Sequence, residues 1–238
     1  MLESKPSAVQ TISERLEDVR EKVRTAAERA GRSPDEIQLI AISKTHGVDV
    51  VREALAAGVS DLGENRVQEA ESKINEIGRE AARWHLVGHL QTNKARRAVE
   101  LFDVIHSVDS VALLQKLDRL CGETGRRELP VLVQIDLAGE QTKSGVDSAS
   151  LPALMDAGSR CQYVKLIGLM TLPPFFEDPE CTRPFFKALR DLRNELQAQG
   201  HLHGAGELSM GMSHDFEVAI EEGATMVRVG TAIFGERR

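Results

Sequence analysis

The sequence has 238 residues, a length that fits one large domain, and a formal net charge of −7. This acidic balance argues against a general nucleic-acid surface, because phosphate backbones are bound by clustered cations. The three cysteines form no CxxC pair, so we expect no disulfide framework. Residues 1–10 lack the apolar core of a secretory signal, and no apolar run approaches the ~18 residues of a membrane helix. We therefore expect a cytoplasmic protein that binds neither a membrane nor nucleic acid.

The first predicted element is a helix over Ser7–Ala30. Its apolar residues recur every three or four positions and form one stripe, consisting of Ile12, Leu16, Val19 and Val23. Gly31 follows at the position where a helix commonly ends. We expect residues 1–36 to supply an extra N-terminal helix that packs on the rest of the domain.

Short apolar runs then alternate with helical patterns. The predicted strands are Ile37–Ile42, Val59–Leu62, Trp84–Val87, Val104–His106, Val131–Ile135, Val164–Leu169, Glu207–Ser209 and Met226–Val229. The predicted helices between and after them are Val48–Ala57, Val67–Ile77, Thr92–Leu101, Val111–Cys121, Leu151–Ala157, Pro184–Gln199 and Phe216–Glu221. Such alternation predicts parallel strands joined by right-handed crossovers, and eight strands close a barrel. The prediction is an α/β fold, a single (β/α)8 TIM-type barrel over residues 1–238, with a doubly wound open sheet as the alternative.

Polar residues and glycines collect where the predicted strands end, which is where the sites of parallel barrels lie. Lys44 directly follows the apolar run Ile37–Ile42. A lysine there would stand over the barrel mouth, partly desolvated, and desolvation favours the neutral amine that attacks an aldehyde. The alternative is a lysine that extends its charged end from the strand into water.

Two loops near the end of the chain predict a phosphate site. Gly211 and Ser213 follow the seventh strand, and Gly230 and Thr231 follow the eighth. Barrels of this class commonly bind phosphate with these two loops, where helix N-termini offer N–H groups. The alternative for Ser213 is that it caps the next helix. No GxxxxGK[ST] or strand-linked GxGxxG is present, which disfavours a nucleotide triphosphate or dinucleotide.

Arg228 lies inside the eighth strand, where an unpaired charge would be unfavourable. One hypothesis is an ion pair with a nearby carboxylate. The other is a hydrogen bond to the pyridine nitrogen of pyridoxal 5'-phosphate (PLP). Arginine keeps its own proton, so it would leave that nitrogen unprotonated and the ring a weaker electron sink.

No metal site is predicted. His85 and His89 are four residues apart, but Gly88 and the strand-like context argue against a helical metal-binding pair. HExxH is also absent.

The chain resembles the pyridoxal phosphate homeostasis proteins, which are related to the N-terminal barrel of alanine racemase. The resemblance covers nearly everything from about Ile37 to Gly235. The matching stretches, in chain order, are residues 41–45, 63–69, 85–94, 140–145, 168–173, 208–215, 227–231 and 233–235.

This resemblance implies that Lys44 holds PLP as a Schiff base and that Arg228 faces the pyridine nitrogen. It also implies that Asn65 lies close to the ring. The residues that it implies for the phosphate are Ser209, Gly211, Ser213, Gly230 and Thr231. Arg66 departs from the aromatic residue that many members have there, and no role is carried onto it. The implied function is PLP (vitamin B6) and amino-acid homeostasis, with no dedicated reaction.

A carrier is favoured over an enzyme. Two-base racemisation in alanine racemase uses a lysine and a tyrosine, and the sole tyrosine of this chain, Tyr163, precedes the sixth strand. We expect it at the bottom of the barrel, far from Lys44. The sequence ends at Arg238, so we expect no second domain and a monomer. PLP-dependent apo-enzymes are the expected recipients. The alternatives are a slow PLP-dependent racemase or lyase that uses Lys44 with a water or cysteine, and a barrel for another phosphorylated metabolite.

Overall fold

A computed structural model describes residues 10–139 and 144–236. Eight parallel strands form a closed barrel in chain order. They are β1 (Gln38–Ile42), β2 (Asp61–Glu64), β3 (Arg83–Leu86), β4 (Val104–Val108), β5 (Leu129–Gln134), β6 (Val164–Met170), β7 (Glu207–Met212) and β8 (Met226–Val229). The predicted TIM-type barrel is confirmed, and the open-sheet alternative is wrong because β8 pairs with β1, Arg228 lying opposite Ile40.

Helices surround this barrel. In the described residues they are α1 (Ile12–Arg29), α2 (Val48–Ala56), α3 (Val67–Ile77), α4 (Ala95–Leu101), α5 (Val111–Thr124), α6 (Leu151–Gly158), α7 (Arg183–Ala198), α8 (Phe216–Glu221) and α9 (Thr231–Phe234). Short 3-10 turns cover Pro34–Glu36, Arg79–Ala81, Thr92–Lys94 and Pro179–Thr182.

The extra N-terminal helix α1 packs on α8 and α9, as well as on α2. It begins at Ile12 because Thr11 caps it. The Thr11 hydroxyl accepts from the Glu14 backbone N–H, and the Glu14 carboxylate accepts from the Thr11 backbone N–H. Residues 7–9 of the predicted helix lie outside the described residues. Arg15 donates to the Ile233 carbonyl at 2.6 Å, and Arg32 donates to the Ala224 carbonyl at 2.8 Å. These bonds fix α1 and the turn after it to the last two βα units.

The boundaries of β2 differ from the prediction. Val59 is not a strand residue, because its N–H bonds to the Ala54 carbonyl and completes the turn that ends α2. The strand instead covers Asp61–Glu64, which pairs with Arg83–Leu86. Two carboxylates therefore lie within a strand, and Glu64 is fully buried.

Side chains alternate between the inside and the outside of the barrel. A small apolar cluster fills part of the interior and consists of Ile40, Ile42, Val87, Val104, Leu132, Met170 and Met226. The much larger second cluster contains the outward strand residues and the helices. Lys44 follows Ile40 and Ile42 at the same alternation, so β1 directs it towards the barrel mouth.

Candidate cofactor-binding site

Lys44 lies in a tight turn at the carboxyl end of β1 and is half-buried. The next residue, Thr45, has φ of 68°, a left-handed conformation that is unfavourable for a β-branched residue. The turn is held on both sides. The Ser43 N–H donates to the Gly63 carbonyl at 3.1 Å, and the Thr45 N–H donates to the carboxylate of Glu69. The strained turn therefore sets the direction of Lys44.

A buried charge cluster, consisting of Glu64, Glu69 and Lys73, lies behind this turn. The Lys73 ammonium donates to the Ser43 carbonyl at 2.7 Å, to Glu64 at 2.6 Å and to Glu69 at 3.0 Å. Burial raises the pKa of Glu64, and the charge of Lys73 opposes that rise. Sequence reasoning missed this cluster, although a glutamate at a strand end with a lysine on the next helix could have indicated it.

The two loops predicted for phosphate are brought together by Ser213. Its hydroxyl oxygen accepts from the Gly230 N–H at 3.1 Å and from the Ala232 N–H at 3.3 Å. The alternative that Ser213 caps α8 is wrong, because Asp215 occupies that N-cap. Its hydroxyl thus lies at N–H groups that open α9. The end of β8 also lies against β1, since a Cβ added at Gly230 would be 3.3 Å from the Ile42 carbonyl oxygen.

The prediction that Gly211 follows the seventh strand is wrong, because β7 extends to Met212 and includes it. Gly211 has φ of +89°, and an added Cβ would lie 2.6 Å from the Ala219 Cβ. Glycine is required here by the backbone conformation and by the packing of α8. Thr231 is the first residue of α9 and is exposed at the rim.

Asn65 follows β2 and is half-buried. Its backbone touches the loop after β3, since a Cβ added at Gly88 would lie 2.3 Å from the Asn65 carbonyl oxygen. The next residue, Arg66, is exposed at the start of α3.

Arg228 is buried inside the barrel, with 3% of its surface exposed. Its guanidinium donates to the Ser209 hydroxyl at 2.6 Å and to the Thr171 carbonyl at 2.9 Å. No carboxylate in the described residues forms an ion pair with it, so these residues do not support the ion-pair hypothesis. Burial lowers the pKa of Arg228 to about 10, and the charge of Asp215 opposes this shift. Arg228 remains a cation at neutral pH.

Ser209 is also fully buried and belongs to a chain of polar side chains that sequence reasoning missed. Its hydroxyl lies 2.9 Å from Nδ1 of His106. The other ring nitrogen of His106 lies 3.0 Å from Nδ1 of His85, and Nε2 of His85 lies 2.9 Å from Asp61. His106 on β4 and Ser209 on β7 are not on neighbouring strands, so this contact crosses the barrel interior.

Neither histidine considered for a metal pair has metal-binding surroundings. His85 bonds to His106 and Asp61 as described, and His89 is half-exposed with Nδ1 3.2 Å from Asp109. The described part of the chain contains no cluster of three or more histidine, cysteine or acidic side chains arranged for a metal ion. Within that same part, each helix is too short or too polar to cross a bilayer.

The family model for the alanine racemase N-terminal domain matches residues 15–238. The pyridoxal phosphate homeostasis protein of Aquifex aeolicus is 43% identical over 94% of this chain and 98% of its own length. The chain belongs to the pyridoxal phosphate homeostasis protein family. The family protein from Escherichia coli K12 is 39% identical over 95% of this chain and 97% of its own length.

Solved structures agree with this membership. PipY of Synechococcus elongatus, with PLP bound, is 44% identical, with a TM-score of 0.84 over 94% of this chain and 100% of its own. Alanine racemase from Corynebacterium glutamicum is 20% identical, with a TM-score of 0.66 over 92% of this chain and 60% of its own. The latter similarity shows a shared barrel fold only.

Proposed function

We propose that this chain binds PLP at the carboxyl rim of its barrel and that Lys44 holds the cofactor's aldehyde carbon covalently. One observation carries the proposal. The β8 loop, with the N–H groups that Ser213 accepts from, lies directly against the end of β1 that presents Lys44. The Ser213 hydroxyl accepts from both N–H groups and keeps its own hydrogen to donate to a ligand. An amine and a hydroxyl donor side by side match a molecule that carries both an aldehyde and a phosphate.

The remaining site residues fit the same ligand. The phosphate would be bound where β7 and β8 end, and the residues predicted for it there are Gly211, Ser213, Gly230 and Thr231, with Ser209 further inside the barrel. Arg228 would donate to the pyridine nitrogen, and Asn65 would lie beside the ring. When bound, PLP supplies a ring that withdraws electrons from a carbon attached through its aldehyde. A cationic arginine keeps its proton, so Arg228 would leave the ring nitrogen unprotonated and weaken that withdrawal.

We propose that the protein has no dedicated reaction. Tyr163 precedes β6, at the end of the barrel opposite Lys44, and its ring lies against Gly122 of α5. Cys121 and Cys161 have their pKa values raised by burial to about 11, which leaves them as neutral thiols. These residues are therefore poor candidates for the second base that racemisation needs.

We further propose that the protein maintains PLP and amino-acid balance by delivering PLP to apo-enzymes. The name of the relatives supports a role in PLP homeostasis, and the structure of PipY with PLP bound supports PLP as the ligand. The cytoplasmic location and the monomeric state stay predictions.

The first experiment is a visible absorbance spectrum after addition of PLP, followed by borohydride reduction and peptide mass mapping. We expect a yellow protein that bleaches on reduction and carries the adduct on Lys44. The K44A variant should not be trapped. K165A is the matched control, because Lys165 lies at the opposite end of the barrel and should leave trapping unchanged. A wild-type protein that stays colourless and unmodified in excess PLP would overturn the proposal and favour another phosphorylated metabolite.

An amino-acid racemisation assay tests the proposal that the protein has no dedicated reaction. We expect the amount of racemised product not to exceed the amount of bound PLP. Turnover well beyond that amount, lost in K44A, would show an enzyme instead.

A further inference from the structure

The polar chain through the barrel connects its two ends. Asp61 stands at the first position of β2, at the amino end, and also accepts from Gln38 at 2.6 Å and from Ser60 at 2.7 Å. Arg228 reaches the Thr171 carbonyl just beyond β6, at the carboxyl end. Between them lie three side chains with no exposed surface, namely His85, His106 and Ser209. We call the set Asp61–His85–His106–Ser209–Arg228 the relay.

The chemistry of its members allows one order of hydrogens. Burial alone would raise the pKa of Asp61, but hydrogen bonds from His85 and Ser60 outweigh it and hold that pKa below its usual range. Asp61 is therefore a carboxylate, which only accepts. Burial lowers the pKa of His85 and lowers that of His106 further, so both rings are neutral.

The order follows step by step from Asp61. His85 must donate from Nε2 to Asp61, which leaves its Nδ1 as an acceptor. His106 then donates from Nε2 to His85, and its own Nδ1 becomes an acceptor. The Ser209 hydroxyl donates its single hydrogen to Nδ1 of His106. Its oxygen is therefore left only to accept, and it accepts from Arg228.

We infer that Asp61, His85, His106 and Ser209 are positioning residues that fix the orientation of the Arg228 guanidinium at the ring end of the cofactor site. This inference rests on the proposed binding of PLP. Arg228 is held at two points, by the Ser209 hydroxyl and by the Thr171 carbonyl, and these set its plane. Its remaining N–H groups then point to a fixed place.

The relay also assigns Ser209 a different role from the one the resemblance implies. Its hydrogen goes to His106 and its oxygen accepts from Arg228, so the hydroxyl has no hydrogen to donate to a phosphate. Ser213, at the N–H groups of Gly230 and Ala232, belongs with the phosphate, whereas Ser209 belongs with Arg228.

The hydrogen order is tested without any cofactor. Nitrogen-15 NMR of the PLP-free protein should show two of its seven histidines locked as neutral Nε2–H tautomers at about pH 7. H106L assigns their signals. A protonated ring, or an Nδ1–H tautomer at either position, would contradict the relay.

The positioning role is tested with PLP that carries nitrogen-15 in its ring. In S209A, Arg228 loses one of its two holding points, so the pyridine nitrogen signal and the visible absorbance maximum should move. The apparent Kd of PLP should rise by about tenfold, the effect of losing the hydrogen bond from a displaced Arg228 to the pyridine nitrogen. S107A is the matched control, because Ser107 is a buried strand serine next to His106 whose hydroxyl donates to the Gly88 carbonyl and not to a relay side chain. S107A should have the same pyridine nitrogen signal, absorbance maximum and apparent Kd as the wild type.

A second pair of variants separates positioning from packing. H106N keeps a polar atom near the Nδ1 position and should recover the wild-type ring signal in part, whereas H106L should resemble S209A. If either histidine variant does not fold, S209A and the tautomers of the wild-type histidines still test the relay.

A wild type that fails to trap PLP would overturn the proposed function. A wild type that traps PLP while S209A keeps its ring signal, spectrum and affinity overturns the relay alone.

Discussion

Replacement of Lys73 by methionine should destabilise the protein strongly, although this residue is outside the predicted cofactor contacts. The ammonium is almost fully buried and is the cationic partner of Glu64, whose side chain has no exposed surface. In K73M the Glu64 carboxylate would keep only the Ser43 hydroxyl, at 2.6 Å. Breaking a buried pair in this way costs about 3–5 kcal/mol. A typical domain has ~5–15 kcal/mol of stability, so the loss is a large part of the total.

The destabilisation should depend on pH. Because the pKa of Glu64 is raised in the folded protein, its proton is bound more tightly there than in the unfolded chain. That contribution is present below the unfolded pKa and is lost as pH rises through the folded value. Removal of Lys73 raises the folded pKa further, so K73M should lose more stability at about pH 8 than at about pH 5.

Urea unfolding followed by circular dichroism at both pH values measures this effect. E64Q in the K73M background removes the unpaired charge and should restore a large part of the stability. K22M is the control, since Lys22 is exposed on α1 and its replacement should change stability by less than about 0.5 kcal/mol. If K73M unfolds within about 1 kcal/mol of the wild type at pH 8, or E64Q restores nothing, the reasoning from a buried ion pair is wrong.

Two further predictions concern stability. Because burial lowers the pKa values of His85 and His106, the folded state resists protonation, and each can remove up to about 1.4 kcal/mol per pH unit below about pH 6.5. Urea unfolding from pH 7 to 5.5 should show this slope, and H106L should flatten it; an unchanged slope would count against buried neutral rings. G211A should lower the unfolding free energy by about 2–4 kcal/mol, from the positive φ and the clash with Ala219. G125A, with a positive φ but open space, should lose only about 1 kcal/mol in the same assay, and equal losses would refute the packing argument.

The barrel could be predicted because each βα unit has its own local signal. The predicted bounds of the strand Met226–Val229 agree with those of β8, since Gly223 and Gly230 lie on either side of a mainly apolar run. The predicted start of β2 is two residues too early, because the apolar Val59 completes the turn after α2 and is not a strand residue. Burial of Asp61 and Glu64 depends on partners from other strands and helices, which local patterns do not contain.

In the site, too, some residues could be predicted from local sequence and others depend on partners that are distant in the chain. Lys44, Ser213 and Gly230 could be selected because strand ends of a parallel barrel meet at one rim, and the structure brings these elements together. The partners of Arg228 could not be selected. Contact between His106 and Ser209 depends on how β4 and β7 are staggered around the closed barrel, and stagger is a property of the whole sheet.

The position of α1 has a consequence for synthesis on the ribosome. This helix and β1 are made early, but their partners β8, α8 and α9 are made only after the strands β2 to β7. Until then the apolar stripe of α1 and one edge of β1 remain uncovered on the nascent chain. Closure of the barrel therefore has to be a late event in folding, and the growing chain should be most prone to aggregation just before β8 emerges.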